Sequence, residues 1–522
     1  MTSAQALVCP DKSKAPKCPT SGTTLLDETY PTQSFVISND PMVPSKESNQ
    51  FTKKFVQNII TSYDYKNVPQ IILKLESPTD FSEFKDEIKE DLVSKGVSAK
   101  DISAIMDQFT HMPAPNYTWQ QDWFESFINP KTGSPEVRFI NSYHKRVPES
   151  TIKRLASAGE ECGIEKGKSI ATDAAYYGAP IERVKGLGYS FGSSEMGENI
   201  EGAPGGFCMM GDNIGKKFAK DVCGDEKNII RIQTSWLSVG HVDEIFKIIP
   251  TQFNDGRPKE CEFSLMSASP AKAFDLMNSP NAATTNFFDI GKKDEEEDKE
   301  FRKNKTRSTA RNSILICGYI QKIMEKKGPG LPGLSPKTRS VFLKLFGISE
   351  VLAQTSKTSS NLDGSTCAKN LDQVTNREIK EVMNQDVETM LLNQAITNSI
   401  ESDKAMIKEK ILSRLPQCAN YYDEMDVPNI FFGQNAFMNA QGKLELTKPG
   451  TVDSLLPNPT NSVLMNKTLI VPDSGNNLFN DYIARELGKR KMKSDFLASW
   501  DYAHIGFGNI HCSSHSLTYC QP

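Results

Sequence analysis

Two hydrophobic rhythms alternate from end to end of the chain. Phe51, Phe55, Val56, Ile59 and Ile60 share one helical face, and VPQIILKLES (68–77) follows as a buried strand. FSEFKDEIKEDLVSKG predicts a helix ending at Gly96, and residues 99–110 predict another. The aromatic-dense segment YTWQQDWFESF (117–127) leads into a strand at VRFINSY (137–143). Gly and Ser thicken between 187 and 215, which reads as loops. NIIRIQTSWLSVGHVDEIF (228–246) begins as a strand, and EFSLMSASPAKAFDLM (262–277) reads as strand, turn and helix. Ile379, Met383, Val387 and Met390 are spaced 4, 4 and 3 apart, as on one amphipathic helix. LMNKTLIVPD (464–473) reads as a strand. Short strands and helices thus alternate, with no heptads and no repeat of roughly 20–50 residues. That pattern predicts a mixed α/β fold.

Residues 1–50 are rich in Pro, Ser, Thr and Lys, have weak periodicity, and read as an N-terminal extension. The main body is expected over 51–522, with a charged loop at 290–311 and a largely helical insertion at about 325–400.

Composition narrows the function classes. The 522 residues are 38% hydrophobic and 24% charged, enough to bury a large core. Net charge is −4 with both signs interspersed, and no basic stripe marks a nucleic-acid partner. No apolar run approaches the roughly 18 residues of a membrane span. Ala4-Gln5-Ala6 either has the form of a signal-peptidase site or is a chance triplet. Eleven cysteines is an odd count, so at least one thiol is left over if the others pair. Cys9 and Cys18 bracket a polar Pro/Lys-rich segment, where a small surface disulfide would indicate an oxidising compartment. An extracytoplasmic location, secreted or periplasmic, is the expectation. No CxxC occurs, which argues against a zinc ribbon or a thioredoxin-like motif.

Four segments carry candidate chemistry. GIEKGKS (163–169) looks like a phosphate loop but is one residue short, with Cys162 where the first glycine belongs, so nucleotide binding is rejected. In His241-Val-Asp243, an extended backbone would put imidazole and carboxylate on the same face. A structural histidine beside a solvated acid is the plainer alternative. Asp122 and Glu125 would share a face if helical, among Trp119, Trp123, Phe124 and Phe127. Carboxylates among aromatic rings suit a flat cation, although acids facing water would give the same spacing. Cys512 lies in GFGNIHCSSHS, where flanking imidazoles favour a reactive thiolate. A structural cysteine fits that segment too, whereas the spacing of His511, Cys512, His515 and Cys520 fits no zinc pattern.

Taken together, these segments resemble the catalytic domain of the protein-arginine deiminases. W-x-Q-D-x-x-E stands as Trp119, Gln121, Asp122 and Glu125, and G-x-N-I-E-x-x-P as Gly197, Asn199, Ile200, Glu201 and Pro204. SWLSVGHVDEIF (235–246) is the most specific block and is followed by the Ala-Ser-Pro of SASPAKAF. Ile510-His511-Cys512 lies near the C-terminus. The resemblance implies the pentein five-bladed α/β propeller, with ββαβ modules about a pseudo-fivefold axis.

It also implies hydrolysis of peptidyl-arginine to peptidyl-citrulline through a covalent thiouronium. Cys512 would be the nucleophile, His241 the acid and base, and Asp122 and Asp243 the grips on the guanidinium. Trp119 would line the substrate channel and Arg146 would bind substrate backbone. One calcium site would be kept by Gln121, Glu125 and Glu201 while a neighbouring one is dismantled, and no organic cofactor is implied. Departures from the family pattern affect substrate and metal. Gly506 stands where an arginine is usual, Ser513-Ser514-His515 replace G-T-N, and Trp123 and Lys145 replace calcium ligands. Calcium dependence weaker than in the animal enzymes, or none, is therefore expected. Deimination of free arginine, agmatine or another small guanidine remains the alternative, and a non-catalytic binding protein a third.

Overall fold

The computed structural model describes residues 17–18, 25–26, 29–38, 45–75, 77–112, 124–129, 131–141, 153, 156–157, 160, 164–167, 170–171, 199–253, 255–288, 316–323, 326–327, 333–346, 367, 370–433, 436–438, 444–446, 452–499, 503–504 and 508–521. One strand pattern recurs through them: an antiparallel pair followed by a third strand parallel to the second.

Strand β1 (Thr32–Ser38) passes through helix α1 (Ser45–Ser62) into the parallel strand β2 (Gln70–Lys74). Helices α2 (Pro78–Ser94) and α3 (Ala99–Asp107) then lead to β3 (Phe109–His111), parallel to β2. Strands β4 (Phe124–Ile128) and β5 (Pro135–Asn141) are antiparallel, and the short β6 (Glu165–Lys166) and β7 (Ile170–Ala171) run parallel to β5. β8 (Ile200–Ala203) and β9 (Phe207–Gly211) are antiparallel; after α4 (Lys216–Cys223), β10 (Ile229–Ile232) lies parallel to β9.

β11 (Phe246–Pro250) and β12 (Phe263–Ser269) are antiparallel. Helices α5 (Pro270–Asn278), α6 (Pro336–Phe346), α7 (Asn376–Met383) and α8 (Val387–Arg414) precede β13 (Asp423–Pro428), which is parallel to β12. Two small ribbons follow, β14 (Phe431–Gly433) with a later strand and β15 (Ala436–Met438) with β16 (Leu444–Leu446); the later strand is β17 (Val452–Ser454). β18 (Val463–Met465) and β19 (Thr468–Pro472) are antiparallel, and α9 (Asn477–Lys489) leads to β20 (Lys493–Leu497), parallel to β19. Finally β21 (Ser514–Thr518) returns antiparallel to β1. The first unit therefore takes its outer strand from the far end of the chain.

The mixed α/β expectation holds. Residues 32–38 fall within the stretch read as an N-terminal extension, yet they form an inner strand of their sheet and bury Phe35 and Ile37. The face of α1 predicted from Phe51 to Ile60 is buried as read. α2 starts on a capping box, with Ser77 and Asp80 exchanging hydrogen bonds, and Gly96 just beyond it takes φ +72°. The strand-to-helix reading of SASPAKAF holds because Ser269 caps α5 and Pro270 occupies its first turn.

Three local readings fail. The segment 187–215 is not all loop, because β8 and β9 lie in it. The helix drawn through Ile379 and Met390 breaks after Met383, and Val387 begins a new helix with its side chain 63% exposed. LMNKTLIVPD is a hairpin, turned at Asn466 in the left-handed region (φ +55°) that asparagine tolerates.

Packing ties the insertion to the body. Phe342, Leu345, Ile379 and Met383 share one apolar cluster with Met277 of α5 and Phe479 of α9. The buried Lys404 of α8 reaches Asp426 (2.9 Å) and Glu424 (3.1 Å) of β13. Disulfides Cys18–Cys520, Cys208–Cys223, Cys261–Cys418 and Cys317–Cys367 lie among the described residues. Cys18 therefore does not pair with Cys9, which lies outside them together with Cys162. No described helix is long and apolar enough to cross a membrane.

Candidate active site

Cys512 occupies the tight turn that feeds β21. The Ser513 and Ser514 N–H groups donate to Asn509 and His511 carbonyls, and both serine hydroxyls donate to the Ile510 carbonyl. Ile510 is sunk in the apolar cluster beneath α1 and β2. The turn is therefore anchored from below, and Cys512 carries no disulfide and is 1% exposed.

Asp243 meets it from the opposite side. It lies in a single 3-10 turn, Val242–Glu244, just before β11, with His241 as the extended residue at the turn's start. The stretch is thus not a continuous strand, and the same-face argument for His241 and Asp243 fails. The turn itself aims the carboxylate: its Oδ2 accepts from Asn461 Nδ2 at 2.7 Å and pairs with His511 Nδ1 at 2.8 Å. The Cys512 thiol lies 3.6 Å from the same oxygen. The other oxygen, Oδ1, is buried and accepts no hydrogen bond from the described residues.

The approach to His241 is built on glycine and asparagine. Gly240 has φ +73°, and a Cβ there would stand 2.6 Å from Asn213 Nδ2. That Nδ2 donates to the Gly240 carbonyl (3.1 Å), while Asn199 Nδ2 donates to Asn213 Oδ1 (2.8 Å). A chain of amides from the motif residue Asn199 thus pins the loop that carries His241, which is itself buried.

Residues 179–326 match the family described as Protein-arginine deiminase (PAD). Over that stretch the chain is similar to the protein-arginine deiminases. The match spans the Asn199–Pro204 and SWLSVGHVDEIF blocks, and it supports an enzyme of the deiminase type, a hydrolase of amidine C–N bonds. No curated protein matches the chain in sequence. Among solved structures, the chain is similar to an agmatine deiminase from C. jejuni at 11% identity and a TM-score of 0.43, over 95% of this chain and 96% of that one. It is similar to an agmatine deiminase of Enterococcus faecalis at 10% identity and a TM-score of 0.39, over 97% and 98% respectively. Likenesses this loose carry no argument about fold or substrate.

Of the deiminase residues expected from sequence, Cys512 and Asp243 come together at one buried point, where His511 joins them. Asp122, Trp119, Gln121 and Arg146 lie outside the described residues, as do Trp123, Lys145 and Gly506. Glu125 is on strand β4, so the helical spacing invoked for Asp122 and Glu125 does not apply to it. Glu125 and Glu201 are both buried, and each faces an imidazole: Glu201 lies 3.8 Å from His511 Nε2, and Glu125 4.0 Å from His515 Nε2.

Of the calcium ligands that the resemblance implies, Glu125 and Glu201 are described and Gln121 is not. Among the described residues, side-chain atoms of Asp243, Glu244 and Cys512 gather within 4.8 Å of one another. A thiol in that set is a soft donor, unlike the hard oxygens that calcium takes.

Sequence reasoning missed Glu244, Asn458 and Asn461. Glu244 is buried and receives Nδ2 of Asn458 (2.8 Å) and of Asn461 (3.0 Å). The signal was present in PNPTNS, where two asparagines sit beside apolar runs on both sides.

Proposed function

We propose that the chain hydrolyses the guanidinium of peptidyl-arginine to citrulline and ammonia, with Cys512 as nucleophile. The observation that carries this reading is the buried Asp243. One of its oxygens is engaged by the protein and the other is uncommitted, beside a thiol. A planar cation donating to Oδ1 would bring its central carbon within reach of Sγ, and burial excludes competing water.

The Cys512 thiolate adds to the guanidinium carbon, forming a C–S bond. One C–N bond then breaks, and the departing nitrogen takes a proton from His241 and leaves as ammonia. His241 next takes a proton from water as its oxygen attacks the thiouronium carbon. The C–S bond breaks, the electron pair returns to sulfur, and citrulline is released. The remaining hydroxyl proton passes to solvent, so each guanidinium consumes one water and yields one ammonia and one proton. Asp122 would hold the far side of the cation, Trp119 its stem and Arg146 the substrate backbone.

The fold is read as the pentein propeller. In support, five three-strand units, begun by β21–β1–β2, β4–β5–β6, β8–β9–β10, β11–β12–β13 and β18–β19–β20, repeat one antiparallel-then-parallel order. The four disulfides support an oxidising, extracytoplasmic location.

A small guanidine such as free arginine or agmatine is the second reading. Gly506 favours it, standing where the family has an arginine for substrate backbone. Ammonia and citrulline release from an arginyl peptide, free arginine and agmatine separates the two, each with calcium and with chelator. Peptide turnover at least tenfold above the others is expected. Equal or faster turnover of the small guanidines would overturn the peptide reading, and a requirement for calcium would support a calcium site at Gln121, Glu125 and Glu201.

A further inference from the structure

The Asp243–Glu244–Cys512 cluster poses an electrostatic problem. Three groups that can be anionic have their ligating atoms within 4.8 Å of one another, all buried. A carboxylate beside a thiol disfavours the thiolate, and so does burial. Something must offset this if Cys512 is to react.

We propose that Asn461 supplies that offset, holding Cys512 as a thiolate by donating to its sulfur. The proposal rests on reading Cys512 as the nucleophile. Asn461 is fully buried, and its Nδ2 stands 2.9 Å from Cys512 Sγ. The same nitrogen reaches Asp243 Oδ2 (2.7 Å) and Glu244 Oε1 (3.0 Å), so one neutral amide faces all three acceptors. Its orientation is determined by its other end. Oδ1 accepts the backbone N–H of His511 (3.0 Å) and of Cys512 (3.4 Å). A flipped amide would set its NH2 against two N–H donors, so the donor end must face the sulfur. The sulfur, the nucleophile's own N–H and the preceding N–H are thus held by a single side chain. Asn458 shares the load by donating to the other oxygen of Glu244. Aspartate is isosteric but would replace the donor with a further acceptor.

The test titrates the thiol without substrate. Alkylation of Cys512 by iodoacetamide is followed by peptide mass spectrometry across pH in wild type, Asn461→Asp, Asn461→Ala and Asn461→Ser. In every folded variant the inflection should rise by about one unit, with a roughly tenfold slower reaction at neutral pH. For a deiminase substrate, kcat should fall with KM nearly unchanged. A purely structural role would lower melting temperature and leave the inflection where it is. An inflection within about 0.3 of a unit of wild type, in any folded variant, overturns the proposal. Failure of all three variants to fold overturns it as well, in favour of a folding role. Failure of the deiminase reading would appear separately, as activity retained by Cys512→Ala, while the thiol titration would still report on Asn461.

Discussion

His511 and Asp243 are joined by a 2.8 Å hydrogen bond across 268 residues of sequence. The carboxylate is locked in place from the turn that carries Cys512, because His511 immediately precedes it. Loss of this bond to a charged acceptor costs about 1.5–3 kcal/mol. His511→Phe should therefore lower kcat/KM by roughly 10- to 100-fold, and Asp243→Asn should lower it by more. Steady-state kinetics on both variants check the ranking; a His511→Phe enzyme of wild-type activity would contradict it.

Gly240 and Gly256 both have φ +73°, but their surroundings differ. A Cβ on Gly240 would meet Asn213 Nδ2 at 2.6 Å, whereas one on Gly256 would meet nothing within 4 Å. Gly256→Ala should cost only the left-handed penalty of about 1 kcal/mol. Gly240→Ala should cost more and should also lower activity, because Asn213 holds the loop entering His241. Urea denaturation and turnover of the two variants test this. Equal effects would show that the amide chain does not position His241.

The Cys18–Cys520 bridge closes 502 residues of chain and lies just past β21, the strand that begins two residues after Cys512. Cys18 N–H also donates to the Gln521 carbonyl at 2.7 Å. Replacing both cysteines with serine should cost roughly 2–5 kcal/mol. Activity should fall at temperatures where the rest of the fold persists. An unchanged urea midpoint would contradict this.

Asp403 of α8 is buried while accepting the Gln233 N–H at 3.1 Å. Burial chiefly, with Asp212 nearby, pushes its pKa up to about 6 despite that hydrogen bond. The folded value lies above the unfolded one. Its stabilising contribution is therefore complete below about pH 4 and is lost as pH rises through about 6. Asp403→Asn does not titrate, so its stability relative to wild type should improve by roughly 2 kcal/mol between pH 4 and pH 7. Urea midpoints at the two pH values measure this, and a pH-independent difference would contradict it.

Much of the fold was legible because local signals agreed with tertiary need. Ser77–Asp80 and Ser269–Pro270 are complete helix starts, and the apolar face of α1 had a single period. Misreadings arose where a turn was hidden inside an apolar run, as at Asn466, or where exposure broke a period, as at Val387. The role of residues 32–38 could not be read locally, because their antiparallel partner is β21 at the other end of the chain. In the site, motif spacing pointed to His241, Asp243 and Cys512. Asn461 left only a weak signal, two asparagines between apolar runs, because an asparagine's importance depends on what its amide faces after folding.

Citrulline formation by Cys512→Ala bears most directly on the central claim. Assayed beside wild type on an arginyl peptide, with melting temperatures compared, the variant should remain folded and form no citrulline above background. Folded Cys512→Ala that produces citrulline at a rate near wild type would contradict the account.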